Sequence, residues 1–320
     1  MRVDYSNFIA VWHHRSVTIP PIVEMFQSAL RASWDDNVPR LGASLAYYTL
    51  FAIAPVLLVA IAIAGLAFGA EAVRGEIVGQ LDQLVGREGA LAVQSLLQGA
   101  SQRRVGHLAT FVGSVTFILA ATGAFLELQT ALNTIWRVKP KPNAVTFKAF
   151  VVDRVRSFGL VVAIGFLLLV SLAVSAALAA LGTWLERVSP GMPVVWNAVN
   201  VAVSLAVITA LFTLLYAFLP DVKLRWRDVV VGAFVTAVLF SIGKQLIGLY
   251  LGRSTAASTY GAAGSVIVLL LWVYYSSQVV LLGAEFTRIY THHEGRRPRP
   301  EAFATKDPAA PKKATGNESA

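Results

Sequence analysis

The feature that most constrains this chain is a long run, Ser254 to Ala284, that contains no formally charged side chain. About 20 apolar residues are enough to cross a bilayer as a helix. Because the hydrocarbon core offers no water to pair with backbone groups, a segment of this kind must satisfy them internally, as a helix does. The run therefore predicts a transmembrane helix, and the chain a membrane protein.

The polar residues of this run and of the residues just after it are grouped rather than scattered. Tyr274, Gln278 and Glu285 fall within about 40° of one another on a helical wheel. Leu269 and Val273 lie elsewhere on the wheel. Since unpaired polar groups are costly in hydrocarbon, we expect one face of the helix to meet lipid and the polar face to meet protein or a cavity.

Five further runs have the length and apolar character to span a membrane, in a chain of which 56% is hydrophobic and only 14% charged. The six predicted spans lie within 41–70, 105–136, 157–185, 188–220, 229–252 and 254–284. The fold class expected is therefore all-α, a polytopic membrane protein with six transmembrane helices.

Outside the spans, the sequence predicts two further helical segments. After Pro20-Pro21, an apolar stripe at Val23, Phe26, Leu30 and Trp34 predicts an amphipathic helix of about 15 residues. It lies either in the membrane interface or against the protein's own cytosolic loops. The outer loop 71–104 has leucine-rich stripes and is expected to be helical and to cap the bundle.

The predicted organisation follows from these segments. A cytosolic segment occupies residues 1–40, the six-span domain residues 41–290, and a disordered cytosolic tail residues 291–320. The cytosolic segment at the N-terminal end carries too many charges for a signal peptide, so none is expected.

Orientation follows from the distribution of Lys and Arg. Of the 27 basic residues, 20 lie in the segments 1–40, 137–156, 221–228 and 285–320. Because cytoplasmic loops carry the excess of Lys and Arg, both termini are predicted to be cytosolic. The formal charge of +9 is then explained by orientation and by anionic lipid headgroups, so nucleic acid is not an expected partner.

Two charged residues interrupt predicted spans. Glu127 lies ten residues before Arg137, and Lys244 nine residues before Arg253, so each is near the middle of the bilayer. One hypothesis is that Glu127 and Lys244 approach each other across a polar cavity and help to bind a substrate or carry protons. The alternative is a structural pair, or a Lys244 that extends its ammonium toward the membrane surface.

The positions of other polar residues suggest that they belong to the same pathway. Thr116 and Thr130 share the helical face of Glu127. Glu285, three residues before Arg288, either joins the pathway or lies at the headgroup level. The candidate pathway or binding residues are Thr116, Glu127, Thr130, Lys244, Tyr274, Gln278 and Glu285.

Signatures of enzymes are missing from the sequence. It contains no cysteine, no phosphate loop, no Gly-x-Ser-x-Gly elbow and no His-Glu-x-x-His motif. Its histidine doublets project about 100° apart on a helix, which suits a shared metal ion poorly. We therefore expect no catalytic residue, no metal and no cofactor.

Four segments resemble the YihY/virulence factor BrkB family of bacterial inner-membrane proteins. They are RLGASLAYYTLFAIAPVLL (40–58), GAFLELQTALNTIWRV (123–138), FLPDVKLRWRDVVVGA (218–233) and YGAAGSVIVLLLWVYYSSQVVLLGAEFTRIY (260–290). With the spans between them, the resemblance covers roughly residues 20–292. It implies six spans in the bacterial cytoplasmic membrane, with both termini cytosolic, and no transferable catalytic residue.

The resemblance also suggests a function. Members of the family once carried a ribonuclease label, which this sequence does not support, since it offers neither a metal-ligand cluster nor a nucleic-acid groove. Other members are linked to serum resistance and to the export of envelope lipid. We therefore expect a transporter or a lipid-translocating, flippase-like protein whose partners are membrane lipids and a lipid or small polar substrate. The alternative is a non-transporting scaffold for envelope assembly.

Overall fold

The computed structural model describes residues 21–69, 75, 90–91, 93–94, 97–98, 123–141, 193–253, 264–301 and 303–307. Within these ranges the helices are α1 (Pro21–Asp35), α2 (Val38–Phe68), α3 (123–135), α4 (Pro193–Phe218), α5 (Trp226–Arg253) and α6 (Gly264–His293). The strands are β1 (Val138–Pro140), β2 (Val222–Lys223), β3 (Arg299–Pro300) and β4 (Ala304–Lys306).

The expected helical membrane architecture is confirmed at this level. Three described helices are long and apolar enough to cross a membrane, over Ala198–Phe218, Trp226–Ile247 and Val266–His293. They coincide with the last three predicted spans, and α2 coincides with the first. The second predicted span is described from residue 123 onward, and the third lies outside the described residues.

Helix α6 lies at the centre of the described helices. It packs against α1, α2 and α5, and the side chains of Leu269, Val273 and Leu281 are buried. The expectation that Leu269 and Val273 would lie on a lipid-facing side was therefore wrong. A helical wheel gives the polarity of each face, but it does not give the number of helices that pack around it.

The contact between α5 and α6 is very close because glycines on each helix receive side chains from the other. A Cβ atom at Gly232 would overlap the hydroxyl of Thr287, and one at Gly283 would overlap the hydroxyl of Thr236. Further along, Gly243 faces the hydroxyl of Tyr275 in the same way. Small residues let two membrane helices approach until their surfaces interlock, as they do here.

The last described residues run across two loops at one end of the bundle. Strand β4 pairs with β1, and β3 pairs with β2, both antiparallel. The disordered tail expected from residue 291 is thus corrected over its described part, since α6 extends to His293 and two strands follow. Composition shows that this segment cannot form a core of its own, but it does not reveal that loops elsewhere offer it backbone partners.

The opposite end of the bundle is covered by residues of the loop 71–104. Val93 and Leu97 are helical and buried, and they pack in one cluster with Ile61 and Leu269. The described residues of this loop therefore lie where a capping helix was expected.

Candidate functional site

A polar notch is formed where α2 and α3 meet. The hydroxyl of Ser44 on α2 donates a hydrogen bond to Oε1 of Glu127 on α3. One turn away, a Cβ atom at Gly123 would lie 3.2 Å from Cδ1 of Tyr48. Because Gly123 precedes Glu127 by one turn while Tyr48 follows Ser44 by one turn, the two helices run antiparallel at this contact. We call these four residues the notch.

The sequence of α3 explains why the acid faces this way. Ala131, Leu132 and Ile135 are fully buried in the main core, whereas Glu127 is half-buried and Thr130 is exposed. The hydroxyl of Thr130 donates to the carbonyl of Leu126 at 2.7 Å, so it is satisfied within its own helix. The apolar residues thus turn one face of α3 inward, and Glu127 lies at the border of that face, where α3 meets α2.

Exposed aromatic rings line the α2 side of the notch. Tyr47 is 58% exposed, Phe51 is 56% exposed and Tyr48 is 40% exposed. The Tyr47 ring lies 5.7 Å from that of Tyr48 and 5.1 Å from that of Phe51, in edge-to-face arrangements. They form a continuous aromatic surface on α2, which includes the Tyr48 ring that faces Gly123 of α3.

Arg40 adds a cation near the notch. It is exposed and lies one helical turn before Ser44 on α2. Within the described ranges, neither Arg40 nor Glu127 takes part in an ion pair. The surface therefore carries a carboxylate and a guanidinium group about one helical turn apart that do not form an ion pair in the described part of the chain.

A second polar group, the charged cluster, ties three chain segments together at the strand-bearing end of the bundle. Glu285 accepts hydrogen bonds from Arg288 at 2.6 and 3.1 Å. Asp36, between α1 and α2, lies 3.4 Å from Arg288 and 3.4 Å from Arg137, which follows α3. Two acids thus face two arginines with little access to solvent, since the Glu285 side chain is fully buried and that of Asp36 is 6% exposed.

Neighbouring polar pairs fix the loops at the same end. Both side-chain oxygens of Asp221 accept hydrogen bonds, from Asn133 at 2.8 Å and from Gln129 at 3.2 Å. The backbone N–H of Asp221 donates to Asn133 Oδ1 at 2.9 Å. Arg296 pairs with the buried carboxylate of Asp228. The four segments that carry most of the Lys and Arg therefore all contribute residues to one end of the bundle.

Sequence reasoning did not identify Asp36, Asp221 or Asp228. The signal that could have revealed them is an acid at the border of a span, in a segment otherwise rich in Lys and Arg. Such an acid is a natural partner for a neighbouring basic residue in the interface. The partner itself is distant in sequence, since Arg296 follows Asp228 by 68 positions.

The candidate pathway residues of α6 do not lie together in an open channel. Glu285 is buried in the charged cluster. Gln278 packs closely on Gly42 of α2, and its Nε2 lies 3.5 Å from the carbonyl of Val38. Tyr274 is half-buried against an apolar cluster. The polar face of α6 therefore meets α2, which agrees with the expectation that this face meets protein.

The remaining candidates are placed separately. Thr116 lies outside the described residues. Lys244 is half-buried on α5, beside the Gly243 that receives Tyr275 of α6. Helix α6 packs on both α5 and α2 and lies between them. The structure thus joins Glu127 to Ser44, and in the described part of the chain it does not join Glu127 to Lys244.

No group of three or more His, Asp or Glu side chains among the described residues is arranged to hold a metal ion. The chemistry available in these ranges is that of charge, hydrogen bonding and aromatic surface. A site with these groups can bind a polar ligand.

Comparison with known proteins gives one family. A model described as virulence factor BrkB matches residues 29–307. A UPF0761 membrane protein of Ralstonia nicotianae is 30% identical over 274 residues, which is 84% of this chain and 59% of that protein. A UPF0761 membrane protein of Rhodospirillum centenum is also 30% identical, over 84% of this chain and 58% of that protein. This chain thus spans about three fifths of the length of these relatives. No solved structure matches.

Proposed function

This chain belongs to the virulence factor BrkB family of membrane proteins, and we propose that it is a transporter that translocates lipid across the bacterial cytoplasmic membrane. In this proposal the chain crosses the membrane six times and both termini are cytosolic. Its partners are membrane lipids rather than nucleic acid, and translocation requires no catalytic residue.

The observation that carries the proposal is the half-buried carboxylate of Glu127, held by the Ser44 hydroxyl where α2 meets α3, in a notch that includes the exposed ring of Tyr48. A charged side chain at the centre of a membrane helix costs at least about 2.5–3.5 kcal/mol. Such a cost is commonly offset by a water-filled cavity or a polar ligand. A notch on the outer surface would let a headgroup enter from the side while its acyl chains stay in the hydrocarbon.

The charged end of the bundle supports the proposed orientation. It gathers the segments richest in Lys and Arg, which is the property of cytoplasmic loops. Exposed aromatic residues lie close to it, including Trp34 of α1 at 73% exposure and Trp226 at 55%. Tryptophan is enriched where the membrane meets water, so this end would lie at the cytosolic interface.

Helix α1 fits an interfacial position. Met25 and Ala29 are buried and form a cluster with Phe286 of α6, whereas Leu30 and Trp34 are exposed. The helix therefore docks on the bundle with one side and presents apolar side chains on another. That surface is suited to the boundary between headgroups and acyl chains.

Reconstitution in liposomes tests the proposal. The full chain would be placed in vesicles containing a trace of phospholipid with a fluorescent acyl chain, and a membrane-impermeant reductant would be added outside. We expect the protein to make the inner-leaflet label accessible and Glu127→Gln to abolish most of this effect. Glu294→Gln, which removes an exposed acid that directly follows α6 and lies 3.3 Å from Arg296, serves as the matched control and should behave as wild type. A rate equal to that of protein-free vesicles would refute the proposal.

A second candidate is a scaffold that organises envelope proteins without moving lipid. The exposed apolar residues of α1 favour it, because they could equally dock a partner helix. A scaffold would leave the label protected and would copurify with a defined membrane partner that is lost with Trp34→Ala.

A further inference from the structure

We infer that the notch binds the headgroup of a zwitterionic aminophospholipid, with the ammonium at Glu127 and Tyr48 and the phosphate at Arg40. This inference rests on the proposed function, because it names the class of lipid that the same site would take. It follows from charge, aromatic surface and spacing.

The ammonium position is set by Glu127 and Tyr48. Within the described ranges, Glu127 accepts one hydrogen bond, from Ser44, and has no cationic partner. A carboxylate with two oxygens and about four lone-pair sites keeps ample capacity for a further donor. The Tyr48 ring lies one turn away along the same helix contact, where it touches Gly123. An ammonium placed there gains a charge-assisted hydrogen bond from the acid and a cation–π interaction from the ring.

Arg40 supplies the phosphate position. It precedes Ser44 by one turn, a rise of about 6 Å along α2. In an ethanolamine headgroup two methylene groups separate the phosphate ester from the ammonium. A headgroup lying along the helix would therefore bring its phosphate within reach of the long arginine side chain. Guanidinium groups match phosphate oxygens in bidentate geometry.

The pairing of these two charges selects the class of lipid. A headgroup with one cation and one anion neutralises Glu127 and Arg40 together. An anionic headgroup without an amine would satisfy Arg40 but leave the carboxylate of Glu127 uncompensated. A water-soluble amine would lack acyl chains to cover the exposed rings of Tyr47 and Phe51. The observations therefore favour a lipid over a free metabolite.

The charged cluster does not compete for this role. The acid of Glu285 already faces Arg288, and Asp36 already faces both Arg288 and Arg137. A ligand ammonium would have to displace those arginines from a buried position, whereas at Glu127 it displaces no cation among the described residues.

Native mass spectrometry of the full chain, ejected from nanodiscs with equal amounts of phosphatidylethanolamine and phosphatidylglycerol, tests the inference. We expect wild type to retain phosphatidylethanolamine roughly tenfold over phosphatidylglycerol, the factor expected for one charge-assisted hydrogen bond. Glu127→Gln should remove this preference, and Arg40→Gln should lower retention of phosphatidylethanolamine. Tyr48→Leu should reduce the preference about two- to fivefold, as one exposed cation–π contact would. The control Glu294→Gln should retain the preference.

Specific results would overturn the inference. They are equal retention of the two lipids by wild type, or an undiminished preference in Glu127→Gln. If Glu127→Gln does not fold, Tyr48→Leu and Arg40→Gln decide, and an unchanged preference in both refutes the site. Displacement of the lipid by water-soluble phosphoethanolamine would also refute it, since a free headgroup would then suffice.

The same measurements separate this inference from the proposed function. Flux of labelled lipid without any preference at the notch would overturn the inference and leave lipid translocation standing. A preference at the notch with no flux above protein-free vesicles would refute translocation and leave the binding site standing.

Discussion

The charged cluster and the notch both place acids among apolar helices, but they neutralise them differently. In the charged cluster, Glu285 is fully buried and lies 2.6 Å from Arg288, while Asp36 is shared by two arginines. In the notch, Glu127 is half-buried and is met by a hydroxyl. The first acids have their countercharges within the chain, and among the described residues the second does not.

This difference separates the architectural role of the charged cluster from the binding role that we propose for the notch. A buried acid that faces an arginine can hold segments together, and removing the arginine leaves the acid as an uncompensated buried charge. An acid without a cationic partner lowers the stability of the protein while no ligand is bound, and binding of a cation restores that free energy. The comparison therefore predicts opposite responses of stability to mutation in the two regions.

The largest effect is expected at Arg288. Arg288→Met would leave Glu285, and in part Asp36, buried without a countercharge, so the free energy of unfolding should fall by about 3–5 kcal/mol. Chemical unfolding in detergent micelles would measure it. Arg297→Met, at an exposed arginine after α6, is the matched control and should unfold as wild type does. Equal stability of the Arg288 variant and wild type would show that the charged cluster does not hold the bundle.

The next largest effect is expected at Gly232, where α5 and α6 pack closely. Gly232→Val would drive a side chain into Thr287, and overpacking of this kind costs about 1–3 kcal/mol. Gly75→Ala is the control, because a Cβ atom there meets no neighbour within 4 Å. Thermal unfolding of both variants would decide, and an unaffected Gly232 variant would contradict the interlocked contact of α5 with α6.

Glu127→Gln is expected to change the free energy of unfolding in the opposite direction from Arg288→Met. Because a neutral amide is cheaper to hold in a membrane than a carboxylate, we expect a gain in stability of up to about 1 kcal/mol, together with loss of lipid translocation. Unfolding and vesicle assays on the same preparation would measure both. A loss of stability as large as that of Arg288→Met would mean that Glu127 stabilises the fold, as the acids of the charged cluster do.

The smallest effect is expected at the ion pair of Lys139 and Asp307, whose charged atoms lie 3.0 Å apart. Lys139 is 56% exposed, and ion pairs at such positions contribute about 0.2–1 kcal/mol. Lys139→Met should therefore change stability by less than Arg288→Met or Gly232→Val, and added salt should reduce even that difference in unfolding experiments. A larger effect would mean that β4 contributes more than its charge pair.

Much of this arrangement was predictable from the sequence, because hydropathy reports which segments leave water. The apolar runs predicted α2, α4, α5 and α6, and the count of Lys and Arg predicted which segments share an end. Glu127 was identified for the same reason, since a charge inside such a run is exceptional.

The contacts between residues of different segments were not predictable from the sequence. Nothing in the sequence of α2 marks Ser44 as the hydrogen-bond donor to Glu127, 83 positions away. The hypothesis that Glu127 meets Lys244 assumed that two deep charges of opposite sign attract each other. In the structure, the described hydrogen bond of Glu127 goes to Ser44 of α2, while Lys244 lies on α5 beside the contact of that helix with α6. The contacts of a buried helix follow from shape, as the glycines of the α5–α6 contact illustrate, and periodicity carries little of that information.

The strands at residues 299–306 have a consequence for biosynthesis. A ribosome delivers helices to the membrane in order, so every described helix is made before Ala304–Lys306 leaves the exit tunnel. The partners of that strand, Val138–Pro140, have by then waited while α4, α5 and α6 were synthesised. The pairing of β1 with β4 therefore forms only after all the described helices have been synthesised, whereas the ion pair of Asp36 with Arg137 at the same end requires neither strand.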